Sequence, residues 1–346
     1  MIFNINGNEV NILIGDNILN KFDQEKKYFI IYQDSLSNEL NKIVSNLKYY
    51  DIYKAPDGER AKDINVVLDI IKKMVKKGYT RKDAIISLGG GTISDLAGFV
   101  ASIYMRGIDL INIPTTLLSM VDASIGGKNG VNFEGIKNVI GTFYQPKIII
   151  NDISFLRTLP KEELLNGMGE VIKYSVTMDK NLYNYLIDNK DNILNLNKES
   201  LIFIIESSIK DKMKIVINDE KETNGLRTVL NFGHTIGHAI ESGSEFKIKH
   251  GFAVSYGMIC ETQIGINERI INEDVYYAIK NVVDLYKIKI DLNNININKA
   301  LESLGKDKKR LNNRKIMIPL PVRIGEFEIF MLDLDIIEKG FIRCLN

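Results

Sequence analysis

All three histidines of this 346-residue chain, His234, His238 and His250, fall between positions 234 and 250. His234 and His238 stand four apart in NFGHTIGHAI, a spacing that places both on one face of a helix. His250 follows the stretch SGSEFKIK, a loop long enough to fold back beside them. Imidazole is the commonest metal ligand and the natural acid or base near neutral pH. A single histidine on an apolar face is more often a hydrogen-bonded core residue, and a pair at i, i+4 leaves both readings open. Three of three in one window favours a site.

The segment HTIGH differs from the HExxH of zinc proteases, with threonine where the general-base glutamate would stand. A two-histidine metal site then needs a carboxylate from elsewhere, and NGMGEVIKYSV offers Glu170. Its neighbours are apolar or small, an expensive setting for a charge without a partner. Lys173, three residues on, shares its face, so a simple Glu–Lys helix pair is the alternative. Two further stretches carry chemistry. AIISLGGGTISDLAGF runs from an apolar strand through three glycines into a helix expected to start near Thr92 or Ser94. Such a turn lets a ligand approach the backbone, and the helix start offers N–H groups to a phosphate. It is neither GxGxxG nor a Walker loop, and a tight turn without a ligand is the plainer reading. PTTLLSMVDASIGGKNGVNFEGIKN, residues 114–138, reads as a glycine-rich loop bearing Lys128 and Lys137, with Asp122 and Asn138 nearby. Loops of this kind often carry function, and lysines beside glycines suit anionic groups. A solvated surface loop is the alternative.

The elements that must position these residues change in texture along the chain. FIIYQD (29–34), YYDIYKA (49–55), AIISLGG (84–90), LINIPTT (110–116) and KIIIND (147–152) read as strands buried on both faces of a parallel sheet. ERAKDINVVLDIIKKMVKKG (59–78) has helical periodicity between them. Strand and helix alternating in this way predicts a doubly wound, Rossmann-like α/β domain. Beyond about residue 160 helical patterns dominate, with LRTVLNFGHTIGHAIES read as one of them. KIMIPLP and EFEIFML form a small hairpin around RIGE near the end. The expected division is residues 1–160 as an α/β domain and 161–346 as a mainly α domain, with the boundary near Pro160.

Hydrophobic residues make up 45% and charged residues 26%, the balance of a soluble globular enzyme. A net charge of +1 gives no electrostatic case for nucleic acid or an anionic membrane. No apolar run reaches the roughly 18 residues of a membrane span, and the N-terminus lacks the pattern of a signal peptide. Two cysteines far apart in sequence, Cys260 and Cys344, form neither a disulfide framework nor a CxxC site. A reducing, cytoplasmic setting is expected.

Six segments taken together, GGGTISDLAGFVASIYMRGI, IPTTLLSMVDASIGGKNGVN, GIKNVIGTFYQP, NGMGEVIKYS, LRTVLNFGHTIGHAIES and HGFAVSYGM, resemble the 3-dehydroquinate synthases, in order, over roughly residues 50 to 330. The resemblance implies an enzyme that uses NAD and one divalent metal, zinc or alternatively cobalt. It implies conversion of 3-deoxy-D-arabino-heptulosonate 7-phosphate to 3-dehydroquinate and phosphate, a step of the shikimate pathway toward chorismate and the aromatic amino acids. Glu170, His234 and His250 match the metal ligands, and His238 the residue beside the substrate phosphate that assists proton transfer. Asp122, Lys128, Lys137, Asn138, Lys173, Lys212, Arg227 and Asn231 match positions that line the substrate pocket. Arg106 matches a residue that reaches the neighbouring subunit's phosphate, which implies a homodimer, and Lys308, with Lys309 as the alternative register, matches a C-terminal phosphate lysine. For NAD the matching positions are Asp34, Asp57, Glu59, Lys62, Gly90, Gly91, Asp95, Thr115, Thr116 and Thr158, with Lys128 and Lys137 also near the cofactor.

The chain departs from the family pattern at Ser94, where glycine is common, and at Asn129, where threonine is common. One extra residue stands between Lys212 and Arg227. Another sugar phosphate cyclase, making 2-deoxy-scyllo-inosose, an aminodehydroquinate or a valiolone-type ring, would share the NAD and metal residues. Arg227, Asn231 and His238 together favour the carboxylate-bearing heptulosonate. A metal-dependent alcohol dehydrogenase of the glycerol dehydrogenase type would not need the lysine-rich stretch.

Overall fold

A computed structural model describes residues 1–19, 22–306 and 315–345. By their internal contacts these fall into two compact units, residues 1–159 with 216–221, and residues 160–215 with 222–346.

The first unit is built on a seven-stranded sheet. Its strands are β1 (Ile2–Ile5), β2 (Asn8–Gly15), β3 (Lys27–Gln33), β4 (Tyr49–Ala55), β5 (Ala84–Gly89), β6 (Asp109–Pro114) and, after an intervening hairpin, β9 (Ile148–Asp152). The order across the sheet is β1-β2-β9-β6-β5-β3-β4. All neighbours run parallel except β1, which pairs antiparallel with β2. The five strands expected from sequence are all present. β5 is buried along its whole length, as a central strand covered on both faces must be. From β3 the chain steps outward to β4 and then returns to β5 on the other side of β3. That reversal is the switch point at which doubly wound sheets bind ligands.

Helices α1 (Ser37–Val44), α2 (Ile64–Lys76) and α3 (Gly91–Ile103) complete the unit. The helical pattern expected over 59–78 begins only at Ile64. A 3-10 turn occupies Gly58–Lys62, and Asp63 caps α2 by accepting from the Asn65 N–H. α3 starts at Gly91, earlier than expected, with Gly90 as its N-cap. Stretch 114–138 is not the loop its glycines suggest. It forms a π-helical turn at Ser119–Ala123 and then a hairpin of β7 (Lys128–Phe133) and β8 (Ile136–Phe143). Glu134 and Gly135 both have positive φ, 49° and 72°, as a two-residue hairpin turn requires. Asn129, one of the family departures, donates from its amide to the Gly127 and Tyr144 carbonyls. Its carboxamide lies where a side chain on Gly98 would stand, so it joins the hairpin to α3.

The second unit is mainly helical: α4 (Lys161–Thr177), α5 (Lys180–Asp188), α6 (Lys190–Leu194), α7 (Lys198–Asn218, whose last residues group with the first unit), α8 (His234–Gly243), α9 (His250–Asn267), α10 (Glu273–Leu285), α11 (Ile297–Lys306) and α12 (Leu334–Leu345). The expected hairpin is β10 (Lys315–Arg323) with β11 (Glu326–Asp333). From Asn166 to Thr177 every residue of α4 is buried, which makes it the central helix of this unit. The expected single helix over LRTVLNFGHTIGHAIES is broken. Leu226–Asn231 is a 3-10 segment, Gly233 takes φ +77°, and α8 begins at His234. Cys260 and Cys344, remote in sequence, are hydrogen-bonded free thiols here. Among the described residues no helix is long and apolar enough to cross a membrane.

Candidate active site

Three helices meet where the rare side chains lie, and glycines let them meet. A Cβ on Gly251 would stand 1.8 Å from the Asn166 carbonyl oxygen, and one on Gly169 would stand 2.3 Å from that of Gly251. α9 therefore crosses α4 with backbone against backbone. A Cβ on Gly257 would be 2.0 Å from the Gly233 oxygen, so α9 also presses directly on the start of α8. Glu170, His234 and His250 each adjoin one of these contact glycines, Gly169, Gly233 and Gly251 respectively. The crossings that bring the helices together thus bring the three side chains together.

Glu170 Oε1 lies 3.4 Å from His234 Nε2 and 3.3 Å from His250 Nε2. Its other oxygen, Oε2, accepts from the ammonium of Lys173. The alternative seen in sequence, a Glu–Lys helix pair, is therefore real, but it engages one oxygen only. Both members of the pair are almost wholly buried, at 0% and 1% exposure. Removing one partner from such a pair typically costs about 3–5 kcal/mol.

The outer nitrogens of both rings are held as well. His234 Nδ1 is 3.1 Å from the Phe232 carbonyl oxygen, and His250 Nδ1 is 3.3 Å from Glu241 Oε2. Neither oxygen donates, so each Nδ1 carries a proton, which leaves Nε2 as the nitrogen of each ring that faces Glu170 and could take an ion. Burial, reinforced by the charge of Lys173, holds His234 well below the usual imidazole range. At His250 burial acts in the same direction, but hydrogen bonds to Glu170 and Glu241 overcome it and push the ring up to about 10. Carboxylates that hold a proton this firmly also favour a cation in its place.

The three ligand atoms lie within 4.8 Å of one another. One carboxylate oxygen and two imidazoles, each held through Nδ1 by an outer partner, form a donor set that suits a zinc-like divalent ion, which would take the place of the second proton of His250 and leave room for further ligands. These residues fit the metal that the family resemblance implies. His238 is not in this set; it adjoins it, with its ring centroid 5.3 Å from that of His234, and forms a second possible ligand group with Glu241 and His250. Its side chain is 58% exposed, with Nε2 4.0 Å from Glu241 Oε2.

The other expected substrate residues of this unit are near-buried cations or cavity-lining groups. Lys212 and Arg227 are 6% and 2% exposed, and the Arg227 Nε is 3.9 Å from Glu222 Oε1. Asn231, His234 and His238 line one cavity of about 270 Å³ together with Thr235 and Ser303. Lys308 and Lys309 lie outside the described residues. A roomier cavity of about 660 Å³, flanked by α9, α10 and α12, shares no lining residue with the histidine cluster.

In the first unit the residues expected at NAD follow the carboxyl ends of successive parallel strands. Asp34 follows β3 and pairs with Lys54 at 2.7 Å. Asp57, Glu59 and Lys62 follow β4, Gly90 and Gly91 follow β5, Thr115 and Thr116 follow β6, and Thr158 lies beyond β9. Lys62 and Asp95 form an ion pair at 2.5 Å. Glu59 accepts from the Asn132 amide at 2.8 Å, with Lys137 4.0 Å away. A Cβ on Gly91 would approach that of Ala123 to 2.8 Å, so this glycine seats α3 against the turn that carries Asp122. Asp95, Lys128 and Asn138 line one cavity of about 360 Å³. Arg106 is exposed in a turn where Met105, Arg106 and Gly107 all have positive φ.

Sequence reasoning missed Glu241, although it lies three residues beyond His238 and seven beyond His234, a spacing that keeps it on the same helix face. It also missed Asn166 and Glu261, whose contacts run between helices.

The 3-dehydroquinate synthase N-terminal family profile matches residues 52–166, and the C-terminal profile matches residues 167–310. The 3-dehydroquinate synthase of Sulfurisphaera tokodaii is 46% identical over 355 aligned positions, covering 99% of this chain and 98% of the relative. That of Saccharolobus solfataricus is also 46% identical, covering 98% and 97%. Among solved structures, 2-deoxy-scyllo-inosose synthase complexed with carbaglucose-6-phosphate, NAD+ and Co2+ superimposes with a TM-score of 0.89 at 24% identity, over 99% of this chain and 98% of that one. With both halves matched in order and nearly half of all positions identical across the full length, the chain belongs to the 3-dehydroquinate synthase family.

Proposed function

We propose that the protein is a 3-dehydroquinate synthase, converting 3-deoxy-D-arabino-heptulosonate 7-phosphate to 3-dehydroquinate and inorganic phosphate. The observation that carries this reading is the convergence of Glu170 Oε1 with the Nε2 atoms of His234 and His250 in a chain of this family. In this reading residues 1–160 hold NAD and residues 161–346 hold the metal and most of the substrate. Glu170, His234 and His250 are the ligands of one divalent ion, zinc or cobalt. The structurally similar 2-deoxy-scyllo-inosose synthase with NAD+ and Co2+ and 2-epi-5-epi-valiolone synthase with NAD+ and Zn2+ support that pairing. When bound, NAD supplies a reversible hydride acceptor and the metal a Lewis acid at the substrate's alcohol and ketone oxygens.

The chain's own residues supply binding, charge and proton transfer. Lys173 neutralises the far oxygen of Glu170, so one carboxylate serves two cations without leaving a buried charge unpaired. Arg227 and Lys212 provide positive charge for the substrate's carboxylate and phosphate, the guanidinium able to grip bidentately. Lys128, Lys137, Asn138 and Asp122 supply the polar contacts expected of the first unit. His238 would take and return the proton as phosphate departs, a role that its exposure and its nearness to Glu241 support. Asp34, Asp57, Glu59, Lys62, Asp95, Thr115, Thr116 and Thr158 would hold NAD at the strand ends, with Gly90 and Gly91 leaving its phosphates room at the start of α3.

The working form is a homodimer in which Arg106 reaches the partner's phosphate site. Its exposed position between the exposed apolar residues Ile103 and Met105 and the positive-φ Gly107 supports this. The cytoplasm is the setting, which the free thiols Cys260 and Cys344 support.

The test is a phosphate-release assay on the heptulosonate phosphate. We expect metal-dependent release with NAD needed only in catalytic amount and no net NADH. Stoichiometric NADH from a simple polyol would assign the chain to a different enzyme class.

A further inference from the structure

His234 and His250 share a position that their role as ligands does not require: each is the first residue of its helix. The first N–H groups of a helix have no partner within it, so both helices begin with donors that something else must satisfy. In both cases a buried side chain of another helix does so. Glu261 on α9 accepts from the Gly233 N–H at 2.7 Å through Oε2 and from the Ile236 N–H at 3.1 Å through Oε1. Asn166 on α4 accepts from the Gly251 N–H at 2.7 Å through Oδ1. Both cap residues are nearly inaccessible, at 1% and 7% exposure.

The caps form a chain with the ligands. α4 carries the ligand Glu170 and, one turn earlier, the cap for α9. α9 carries the ligand His250 and, three turns later, the cap for α8, which carries His234. Ordinary N-caps come from the residue just before the helix. Here that place belongs to Gly233, which has no side chain, and to Lys249, which makes no side-chain cap. The capping function is thereby moved to partner helices, where a cap fixes one helix against another as well as closing its first turn.

We propose that Glu261 and Asn166 are positioning residues for the metal site, locking the first turns of α8 and α9 so that the His234 and His250 imidazoles meet Glu170. The inference rests on the reading of Glu170, His234 and His250 as metal ligands. A carboxylate is needed at 261 because two N–H groups are served by two oxygens. A glutamine offers one acceptor oxygen and turns an NH2 toward the second donor.

The experiment measures zinc affinity of the full-length protein by competition with a chromophoric chelator, alongside melting temperature with and without zinc. Glu261→Ala and Asn166→Ala are expected to weaken zinc binding by about 10- to 100-fold, the range seen when an outer partner of a metal ligand is removed. Glu261→Gln should fall between Glu261→Ala and the unmodified protein, and it carries the test if Glu261→Ala does not fold. The zinc-induced rise in melting temperature should shrink in the same order. If the caps only stabilise the fold, melting temperatures with and without zinc will fall together while zinc affinity stays unchanged. That outcome overturns the inference. His234→Ala separates the two levels. If His234→Ala loses zinc while the cap variants bind normally, the inference fails alone. If His234→Ala binds zinc like the unmodified protein, or the unmodified protein binds none, the metal reading fails and takes the inference with it.

Discussion

Substituting Gly251 by alanine adds one methyl group at the tightest point of the α4–α9 crossing. The new carbon would lie 1.8 Å from the Asn166 carbonyl oxygen and 2.8 Å from its carbonyl carbon. Carbon and carbonyl oxygen ordinarily approach to about 3.3 Å at closest, so the overlap is about 1.5 Å. The obstructing atoms are backbone of the fully buried stretch of α4, so no rotamer change relieves them and the helices must part by roughly that overlap. Glu170 and His250 face each other across this crossing at 3.3 Å. Metal–ligand distances tolerate about ±0.2 Å, so a shift of about an ångström removes one ligand in effect. Zinc affinity should fall by at least about 100-fold, or about 2.7 kcal/mol, in addition to about 1–3 kcal/mol of overpacking. The assay is chelator competition for zinc with a parallel chemical denaturation. Gly305→Ala is the control. It lies in α11 with open space at its Cβ, and a methyl there should leave zinc affinity unchanged and stabilise by about 0.4–1 kcal/mol. Zinc binding by Gly251→Ala within about twofold of the unmodified protein would refute the claim that this contact sets the ligand geometry.

Three further outcomes are expected. His250→Ala should lose metal, whereas His238→Ala should keep it and lose turnover, and equal metal loss in both would undo the division of roles. If Arg106 acts across a dimer, mixing inactive Arg106→Ala and His234→Ala chains should restore up to about a quarter of the sites, since random pairing gives half heterodimers with one intact site each. Recovery absent despite subunit exchange would place Arg106 in its own subunit's site. Burial lifts the Asp211 carboxyl to about 7, with the charge of Asp179 adding and Lys214 opposing. Its folded value exceeds the unfolded one, so the folded chain binds the extra proton, and stability declines as pH rises from about 4 to about 7 and then levels. Asp211→Asn should flatten that decline and raise stability at pH 8 by on the order of 4 kcal/mol, as seen by denaturation at several pH values. Parallel stability curves for the two proteins would exclude Asp211 as the source.

The site was legible where it depends on residue type and short spacing. Three histidines in one window and a carboxylate in an otherwise apolar helix are visible in the letters, and the buried β-branched runs disclosed the parallel sheet. What escaped depends on backbone conformation or on contacts between helices. Gly233 reads as one more small residue in a helical pattern, but its φ of +77° ends the 3-10 segment and starts α8 at His234. The β7–β8 hairpin hid behind its glycines, although Glu134-Gly135 is a turn pair of the kind that joins two short strands. Asn6-Gly7, with φ of 48° and 86°, likewise marked the β1–β2 hairpin. Asn166 and Glu261 could not be found from local sequence, because their partners lie 85 and 28 residues away.

The glycine crossings also bear on how this scaffold can diversify. Where a glycine brings backbone against backbone, it has no side chain to trim and no room for a larger one, and so no substitution of the glycine itself can tune the contact by degrees. Mutation can leave such a joint intact or pry it open, with little between. The metal-facing frame is therefore closed to gradual change, and altered substrate preference must arise in groups that border the space around it, such as Asn231, Thr235, His238 and Ser303. A library aimed at a new ring-forming substrate would do best to vary those positions and hold Gly169, Gly233, Gly251 and Gly257 fixed.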